Sequence, residues 1–249
     1  MPLILVTNDD GVTSQGIHAL ADALKPLGTV VVVAPTQEAS AIGHALTLRR
    51  PLRLETVGPD VYGVDGTPTD CVNIGVDIVL KQKPDLVVSG INKGFNIGDD
   101  VTYSGTVAGA LEAALLGIPA IAVSLRRTKV FDFSHAAEAA ATIARQVLAQ
   151  QWPARSFLNL NLNTGAPKGF RITTQARRNH VTQISSRTDP RGQDYYWIDE
   201  GLYDWHPGGG RTDYEAVMEG YVSVTPLQAD LTDHDALEAA RSLLPSPPR

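Results

Sequence analysis

Apolar residues in this chain form short continuous runs, as in strands that are buried on both faces of a parallel sheet. Segments with helix-like spacing of apolar residues separate these runs. The alternation of strand and helix predicts an α/β fold with a doubly wound sheet. The predicted strands are residues 3–7, 30–34, 85–89 and 120–124, and the predicted helices are residues 16–27, 69–80, 105–116 and 134–151.

Beyond Pro153 the pattern changes, and apolar and polar positions alternate more. Residues 181–186 and 195–199 flank the turn sequence Asp189-Pro190-Arg191-Gly192, which predicts a long β-hairpin. We therefore divide the chain into a core over residues 1–153 and a C-terminal part over residues 154–249 that completes it. The other elements predicted in this part are strands at residues 157–162, 170–174 and 219–225, a helix at 233–244 and a frayed tail.

The composition is that of an ordinary globular protein, with 249 residues, of which 43% are hydrophobic and 19% are charged. Such a length allows one large α/β domain or a core with a smaller appendage. The formal net charge of -6 argues against a nucleic-acid partner, because surfaces that bind nucleic acids are usually basic. It still allows a single nucleotide in a locally positive pocket.

The single cysteine, Cys71, excludes an intrachain disulfide, and its apolar neighbours Val72 and Ile74 favour a buried structural thiol. The first residues lack a charged segment followed by a long apolar one, so no signal peptide is predicted. The apolar runs are too short to span a bilayer. We expect a cytoplasmic protein without a membrane partner.

Two adjacent carboxylates, Asp9 and Asp10, directly follow the first predicted strand. Adjacent like charges repel each other, and a divalent cation bound between them converts the repulsion into attraction. The pair therefore indicates metal-assisted chemistry, with phosphate as the expected target. The alternative is ordinary turn or helix-cap chemistry, because Asp10-Gly11 is also a turn sequence.

Polar residues also follow the second and third predicted strands, with Ser40 after the second and Asn92 and Asn96 after the third. Ligands of open α/β sheets bind at the carboxyl ends of strands, so these loops are expected to converge on one crevice. Two aspartates, a serine hydroxyl and an asparagine carbonyl suit Mg²⁺, Mn²⁺ or Ca²⁺ better than Zn²⁺ or copper. The six histidines lack the spacing of a catalytic zinc site.

The sequence Ser104-Gly105-Thr106 precedes a predicted helix, where hydroxyls and exposed N–H groups can bind an anion. The alternative is a simple serine N-cap. His44, next to Gly43, can contact phosphate or donate a proton to a leaving oxygen, and a structural role is its alternative.

Several familiar motifs are absent from the sequence: the GxxxxGK[ST] phosphate loop, a GxGxxG fingerprint after the first strand and the GxSxG elbow. These absences weaken ATPase, dehydrogenase and esterase interpretations. A phosphoacceptor receiver domain needs an aspartate at the end of a central strand, where this chain has Ser89-Gly90. A phosphatase for other small phosphomonoesters and a non-catalytic nucleotide-binding oligomer remain as alternatives.

Four short blocks, in this order and at this spacing, resemble the SurE family of stationary-phase survival proteins, which are metal-dependent 5′-nucleotidases. The blocks are Asn8-Asp9-Asp10-Gly11, Ala34-Pro35 through Ser40 to Gly43-His44, Gly66-Thr67-Pro68-Thr69-Asp70-Cys71, and Ser89-Gly90-Ile91-Asn92 through Tyr103-Ser104-Gly105-Thr106-Val107. The resemblance is strong up to about residue 125 and continues more weakly through residues 189–192, 196–198 and 219–227.

The resemblance implies a Rossmann-like, mostly parallel α/β core and hydrolysis of nucleoside 5′-monophosphates to nucleoside and phosphate. Nucleoside 3′-monophosphates and short polyphosphate are further implied substrates. The implied ligands of one divalent ion per subunit, Mn²⁺ or Mg²⁺, are Asp9, Asp10, Ser40 and Asn92. The implied phosphate contacts are Asn96, Ser104, Gly105 and Thr106.

The resemblance also implies a homodimer or homotetramer in which the hairpin and the terminal segment exchange between subunits. Residues 189–197 and the segment after Leu227 are then expected to form oligomer contacts, with a structural role for Asp230 and His234. Residues 126–133 depart most from the family pattern.

Asp9 and Asp10 are the predicted catalytic residues, and two routes are open to them. In one, Asp9 or Asp10, with Asp9 favoured, orients or deprotonates a water molecule that attacks phosphorus in line. In the other, an aspartate attacks and forms a phospho-aspartate.

Overall fold

The computed structural model describes residues 1–179, 182–200, 204–206 and 208–244. The strands are β1 (Leu3–Thr7), β2 (Thr29–Pro35), β3 (Leu54–Gly58), β4 (Val61–Val64), β5 (Leu86–Lys93), β6 (Ala120–Leu125), β7 (Ser156–Leu162), β8 (Phe170–Ile172), β9 (Arg178–Asn179), β10 (Thr182–Thr188), β11 (Asp194–Glu200), β12 (Asp204–Trp205) and β13 (Val222–Gln228). The helices are α1 (Gln15–Leu24), α2 (Pro68–Ile74), α3 (Gly105–Leu115), α4 (Ser134–Leu148), α5 (Asp213–Met218) and α6 (Leu237–Arg241).

Nine strands of the described part form one sheet in the order β3-β4-β2-β1-β5-β6-β7-β13-β8. The strands from β4 to β7 are parallel, whereas β3 and β13 run antiparallel to their neighbours β4 and β7. The strand order reverses between β1 and β5, which opens a crevice at the carboxyl ends of these strands. The predicted doubly wound, mostly parallel α/β fold is confirmed.

Helices cover both faces of the sheet, which explains why its central strands are continuously apolar. Ile4 and Val6 of β1 belong to a buried cluster with residues of α1 and α4. Leu5 lies on the opposite face in a second buried cluster, which also includes Cys71 of α2 and Val107 of α3. Successive residues of β1 therefore pack into two different halves of the core. Cys71 is a buried free thiol, as predicted.

The structure differs from the prediction at strand β5, which extends to Lys93 instead of ending at Ser89. Its pairing with β6 shifts register between Ser89 and Asn92. Gly90 adopts φ +143°, and a Cβ atom at this position would lie 2.5 Å from the Val123 carbonyl oxygen. Only glycine fits this bulge, and the polar residues beyond it prevented recognition of the longer strand.

Other elements were missed or shifted. The β3–β4 hairpin was not predicted, because its strands are short and β3 is largely exposed at the sheet edge. The predicted helix 69–80 is α-helical only to Ile74 and continues as a π-helix over Gly75–Leu80. The predicted strand 219–225 begins three residues later, after the unpredicted helix α5, and helix α6 is shorter than the predicted 233–244.

The predicted C-terminal hairpin is present as β10 and β11, which pair from Thr182↔Glu200 to Thr188↔Asp194. The predicted start at Val181 and the tail beyond Leu244 lie outside the described residues. β7, β8 and β13 join the core sheet, and the division of the chain at residue 153 stays a prediction. In the described ranges, every helix is too short or too polar to cross a membrane.

Candidate active site

The turn after β1 carries the predicted acidic pair. The Asn8 side-chain amide donates hydrogen bonds to Gly11 O at 3.0 Å and to Ser14 Oγ at 2.8 Å. Ser14 is the N-cap of α1, so one asparagine links the acidic turn to the following helix. Asp9 is only 4% exposed, and Asp10 is partly buried.

The loop after β2 is fastened to the same turn. Ala39 N donates to Asp9 O at 2.8 Å, and Val12 N donates to Pro35 O at 2.7 Å. Ser40 follows Ala39 directly and lines the same cleft as Asp9. Two loops that are distant in sequence therefore meet, as the topology of the sheet predicts.

Strand β5 brings Asn92 to this cleft beyond its bulge. The Asn92 Nδ2 amide donates to Gly94 O at 3.0 Å. Because the Nδ2 group makes this bond, the side-chain oxygen Oδ1 is the atom that Asn92 can offer to a cation.

A cleft of about 490 Å³ lies where these loops meet. The predicted site residues that line it are Asp9, Ser40, Asn92, Asn96 and Ser104. Sequence reasoning did not place the following further lining side chains in the site: Phe95, Asp100, Tyr103, Arg126, Arg127, Trp205 and Tyr214.

The acidic pair is electrostatically strained without a cation. Burial raises the pKa of Asp9 to about 6, opposed by the hydrogen bond from Thr106 and reinforced by the charge of Asp10. Burial also raises the pKa of Asp10, which nearby Lys93 lowers. Raised values mean that the buried negative charges are poorly compensated by the protein alone.

The donor set fits a hard divalent cation. Asp10 Oδ2 is buried without a hydrogen-bond partner among the described residues, which is unfavourable unless a ligand occupies it. The Ser40 hydroxyl donates to Glu38 Oε1 at 2.7 Å and keeps lone pairs for a ligand. In the described part, no three His, Cys, Asp or Glu side chains form a metal-binding group, and the predicted set contains only two carboxylates.

The N-terminus of α3 faces Asp9. The Thr106 hydroxyl donates to Asp9 Oδ1 at 2.5 Å, and the Ser104 hydroxyl accepts from Val107 N at 3.1 Å as the N-cap. A Cβ atom on Gly105 would lie 2.8 Å from Asp9 Cβ, so the helix approaches the carboxylate as closely as glycine allows. Ser104 is thus the N-cap of α3 and also lines the cleft, and its binding of an anion stays a prediction.

The model of the family described as "Survival protein SurE" matches residues 4–182 of this chain. The chain belongs to the SurE family. The predicted resemblance is confirmed by this match and by curated relatives of nearly the same length.

Two SurE relatives and one solved structure illustrate the similarity. The 5′-nucleotidase SurE of Syntrophotalea carbinolica is 52% identical over 238 residues, which cover 95% of each chain. The 5′-nucleotidase SurE of Aquifex aeolicus is 45% identical over 252 residues, which cover 99% of this chain and 100% of that one. The crystal structure of the SurE protein from Aquifex aeolicus has a TM-score of 0.87 at 44% identity, covering 97% of this chain and 99% of that one.

The structure does not bring every predicted residue of this SurE-family chain to the cleft, since Asp10, Gly43, His44, Gly105 and Thr106 are not among the residues that line it. His44 Nε2 lies 2.7 Å from Glu112 Oε2 on α3, and His44 is not among the lining residues. Gly43 N donates to Tyr103 O at 3.0 Å. Asn73 donates to the other Glu112 oxygen at 2.7 Å. His44 and Gly43 therefore join the loop after β2 to α3 and to the loop that precedes α3.

The His44–Glu112 contact predicts a stability effect that depends on pH. The hydrogen bond from His44 is the main cause that lowers the pKa of Glu112. A lowered folded-state pKa contributes stability above the ordinary value of 4.5, and this contribution is lost as the pH falls through the lowered value. We expect Glu112→Gln to cost about 1–2 kcal/mol at pH 7, with a smaller difference at pH 3.5. Urea unfolding at both pH values measures it, and a pH-independent difference would contradict the interpretation.

Aromatic residues form part of the SurE cleft that the sequence did not reveal. Trp205 and Tyr214 stack with ring centroids 4.4 Å apart and an interplanar angle of 9°. Tyr103 is 55% exposed and also lines the cleft. Tyr103 and Trp205 are 102 residues apart in the sequence, so no local pattern connects them.

Proposed function

We propose that this chain hydrolyses nucleoside 5′-monophosphates to nucleoside and phosphate with a divalent metal ion. The observation that carries the proposal is the meeting of Asp9, Ser40 and Asn92 with Asn96 and Ser104 in one cleft at the carboxyl ends of the strands. The name 5′-nucleotidase SurE, which the curated relatives carry over nearly the full length of this chain, supports the same reaction.

The proposed metal ligands are Asp9, Asp10, Ser40 and Asn92, with one Mn²⁺ or Mg²⁺ per subunit. All four offer oxygen atoms, which these ions prefer. The raised pKa values of both aspartates and the unpartnered Asp10 oxygen support this assignment. The bound ion supplies Lewis-acid stabilisation of charge on the phosphate oxygens.

The proposed phosphate-binding residues surround the N-terminus of α3. The N–H groups of Gly105 and Thr106 and the hydroxyl of Ser104 can donate to phosphate oxygens at the positive end of the helix dipole. Asn96 lines the same cleft and adds an amide. These donors stabilise the negative charge on the oxygens as the bond to the leaving group breaks.

Asp9 is proposed to orient the attacking water through its side-chain oxygens and to accept a proton from it. The hydrogen bond from Thr106 fixes the Asp9 Oδ1 atom, and the other carboxylate oxygen, Oδ2, lies beside Gly105. A carboxylate in contact with the water molecule can accept its proton, and the phospho-aspartate route uses the same residue as nucleophile.

The aromatic side of the cleft supports a nucleoside as the leaving group. Tyr103, Trp205 and Tyr214 offer ring faces on which a base can stack, and Arg126 and Arg127 add positive charge for an anionic substrate. The proposal includes 3′-monophosphates and short polyphosphate as further substrates. Other small phosphomonoesters are the second candidate, because the metal and phosphate parts of the site do not require a base.

We further propose a homodimer or homotetramer in the cytoplasm. The hairpin exposes Tyr196, Trp197 and Ile198, which are 65%, 59% and 76% exposed. Large apolar side chains in one exposed segment are typical of a protein contact surface.

Phosphate release from a panel of nucleoside 5′- and 3′-monophosphates tests the proposed function. Each substrate is assayed with Mn²⁺, with Mg²⁺ and with EDTA, beside p-nitrophenyl phosphate and tripolyphosphate. We expect metal-dependent release that is fastest from 5′-monophosphates and is abolished by EDTA. Equal release from p-nitrophenyl phosphate favours the general phosphomonoesterase, and no release from any compound by folded, metal-loaded protein refutes the hydrolase assignment.

A further inference from the structure

Two asparagines in strand β7 are buried where apolar residues would be expected. Asn159 and Asn161 are both 0% exposed and alternate with Leu158, Leu160 and Leu162, which pack into the core on the other face. Burying an amide side chain costs free energy unless its polar atoms are hydrogen-bonded. Both asparagines therefore need hydrogen-bond partners that offset this cost.

The partner of both asparagines is Asn96. Asn161 Oδ1 accepts from Asn96 N at 2.8 Å, and Asn161 Nδ2 donates to Asn96 O at 3.0 Å. Asn159 Nδ2 donates to the same carbonyl oxygen at 2.8 Å. Two side chains of a strand thus hold the backbone of one loop residue as a neighbouring strand would.

The Asn96 side chain is fixed as well. Its Nδ2 donates to Ser124 Oγ at 2.7 Å, and Ser124 lies opposite Asn161 in the pairing of β6 with β7. The loop that follows is held by Asp213, whose carboxylate accepts from Gly98 N at 2.9 Å. Asn96 is 7% exposed, and it lines the cleft.

The hydrogen bonds of this network do not serve stability alone. Asn159 Oδ1 is buried without a hydrogen-bond partner among the described residues. An unsatisfied buried acceptor is unfavourable, and a leucine at this position would avoid that cost while filling a similar volume. Because Asn159 Oδ1 stays unsatisfied, the precise placement of Asn96 explains this network better than packing does.

We propose that Asn161, assisted by Asn159, is a positioning residue that holds Asn96 in the orientation needed to contact the substrate phosphate. The inference rests on the proposed function, in which Asn96 is a phosphate ligand. Asn161 does not touch the substrate and acts only through Asn96. Sheet strands β6 and β7 thereby set the geometry of a loop that follows β5.

The same polar layer supplies a matched control. Ser223 lies opposite Asn161 in the pairing of β13 with β7, and it is also 0% exposed. Its hydroxyl contacts the hydroxyls of Thr173 at 2.8 Å and Thr225 at 3.4 Å. Ser223→Ala therefore removes a buried polar group beside Asn161 without touching the hydrogen bonds to Asn96.

A double-mutant cycle on the metal-loaded full chain tests the proposal. Asn96→Ala, Asn161→Ala, the double variant and Ser223→Ala are compared in kcat and KM for one nucleotide, the inhibition constant of inorganic phosphate, and thermal unfolding. We expect Asn161→Ala to lower kcat about 10- to 100-fold, because small misplacement of a contact is costly. The double variant is expected to be no slower than Asn96→Ala within about twofold, because the two residues act through one contact.

Several outcomes overturn the proposal. Multiplicative losses in the double variant, or a kcat for Asn161→Ala equal to that of Ser223→Ala, would assign Asn161 a purely structural role. Should Asn161→Ala fail to fold, Asn159→Ala removes only one hydrogen bond to Asn96, and an unchanged kcat in that variant overturns the proposal. If the wild type hydrolyses no nucleotide, the proposed function fails separately, and the same cycle on binding of inorganic phosphate, measured by calorimetry, decides the positioning role.

Discussion

Replacing Asp9 with alanine is expected to lower kcat for nucleoside monophosphate hydrolysis at least about a thousandfold, or roughly 4 kcal/mol of transition-state stabilisation. Asp9 is the residue on which the site converges. It accepts from Thr106, its backbone oxygen accepts from Ala39 N, and Gly105 packs against its side chain. Its loss removes a metal ligand and the group proposed to orient water.

Stability is not expected to fall in parallel with activity. Burial raises the pKa of Asp9, so its charged form is disfavoured in the folded protein without a cation. Removing that charge relieves repulsion with Asp10 while it removes the acceptor for Thr106. Activity loss without an equal loss of thermal stability would mark Asp9 as a residue retained for chemistry.

The control for the Asp9 variant is Asp22→Ala, which removes a carboxylate that is 70% exposed and contacts Lys25 on the surface of α1. Its kcat is expected to match the wild type. Both variants are assayed for phosphate release with saturating Mn²⁺ and for metal binding by calorimetry. Near-native turnover of Asp9→Ala with metal present would show that the site assignment is wrong.

The central sheet could be predicted from sequence because its strands are buried on both faces. Residues 3–7 and 120–124 are apolar at nearly every position, and the structure places strands there with shifts of at most one residue. Strand β3 could not be found in this way, since its residues are mostly exposed at the edge of the sheet. Helix α5 was not predicted because it is only six residues long.

The candidate site was predictable where its residues follow strand ends. Asp9 and Ser40 lie in the loops that follow β1 and β2, and Asn92 lies near the carboxyl end of β5, so topology brings them to the same edge of the sheet. Asn161 lies inside a strand, and only the alternation of asparagine with leucine in residues 158–162 could have pointed to it. His44 lies in the predicted loop but contacts Glu112, because a loop position does not determine which way a side chain points.

Gly105→Ala is expected to lower kcat about a hundredfold, because the added methyl group displaces Asp9 from its position. A Cβ atom there would lie 2.8 Å from Asp9 Cβ, 3.0 Å from Asp9 Oδ2 and 3.2 Å from Ala39 O. None of these neighbours is the end of a long flexible side chain. The clash therefore moves the acidic turn, the loop after β2 or the start of α3, and all three contribute to the site.

The expected loss is informative because helix propensity alone predicts the opposite effect, a gain in stability. Alanine favours a helix over glycine by up to about 1 kcal/mol, so Gly105→Ala would stabilise α3 if nothing lay against it. Overpacking costs about 1–3 kcal/mol, and we expect a net decrease in thermal stability together with weaker metal binding. Gly58→Ala is the control, because the nearest heavy atom to its added Cβ is Val61 Cβ at 3.9 Å. Wild-type turnover and metal affinity in Gly105→Ala would mean that the contact between α3 and Asp9 does not set the geometry of the site.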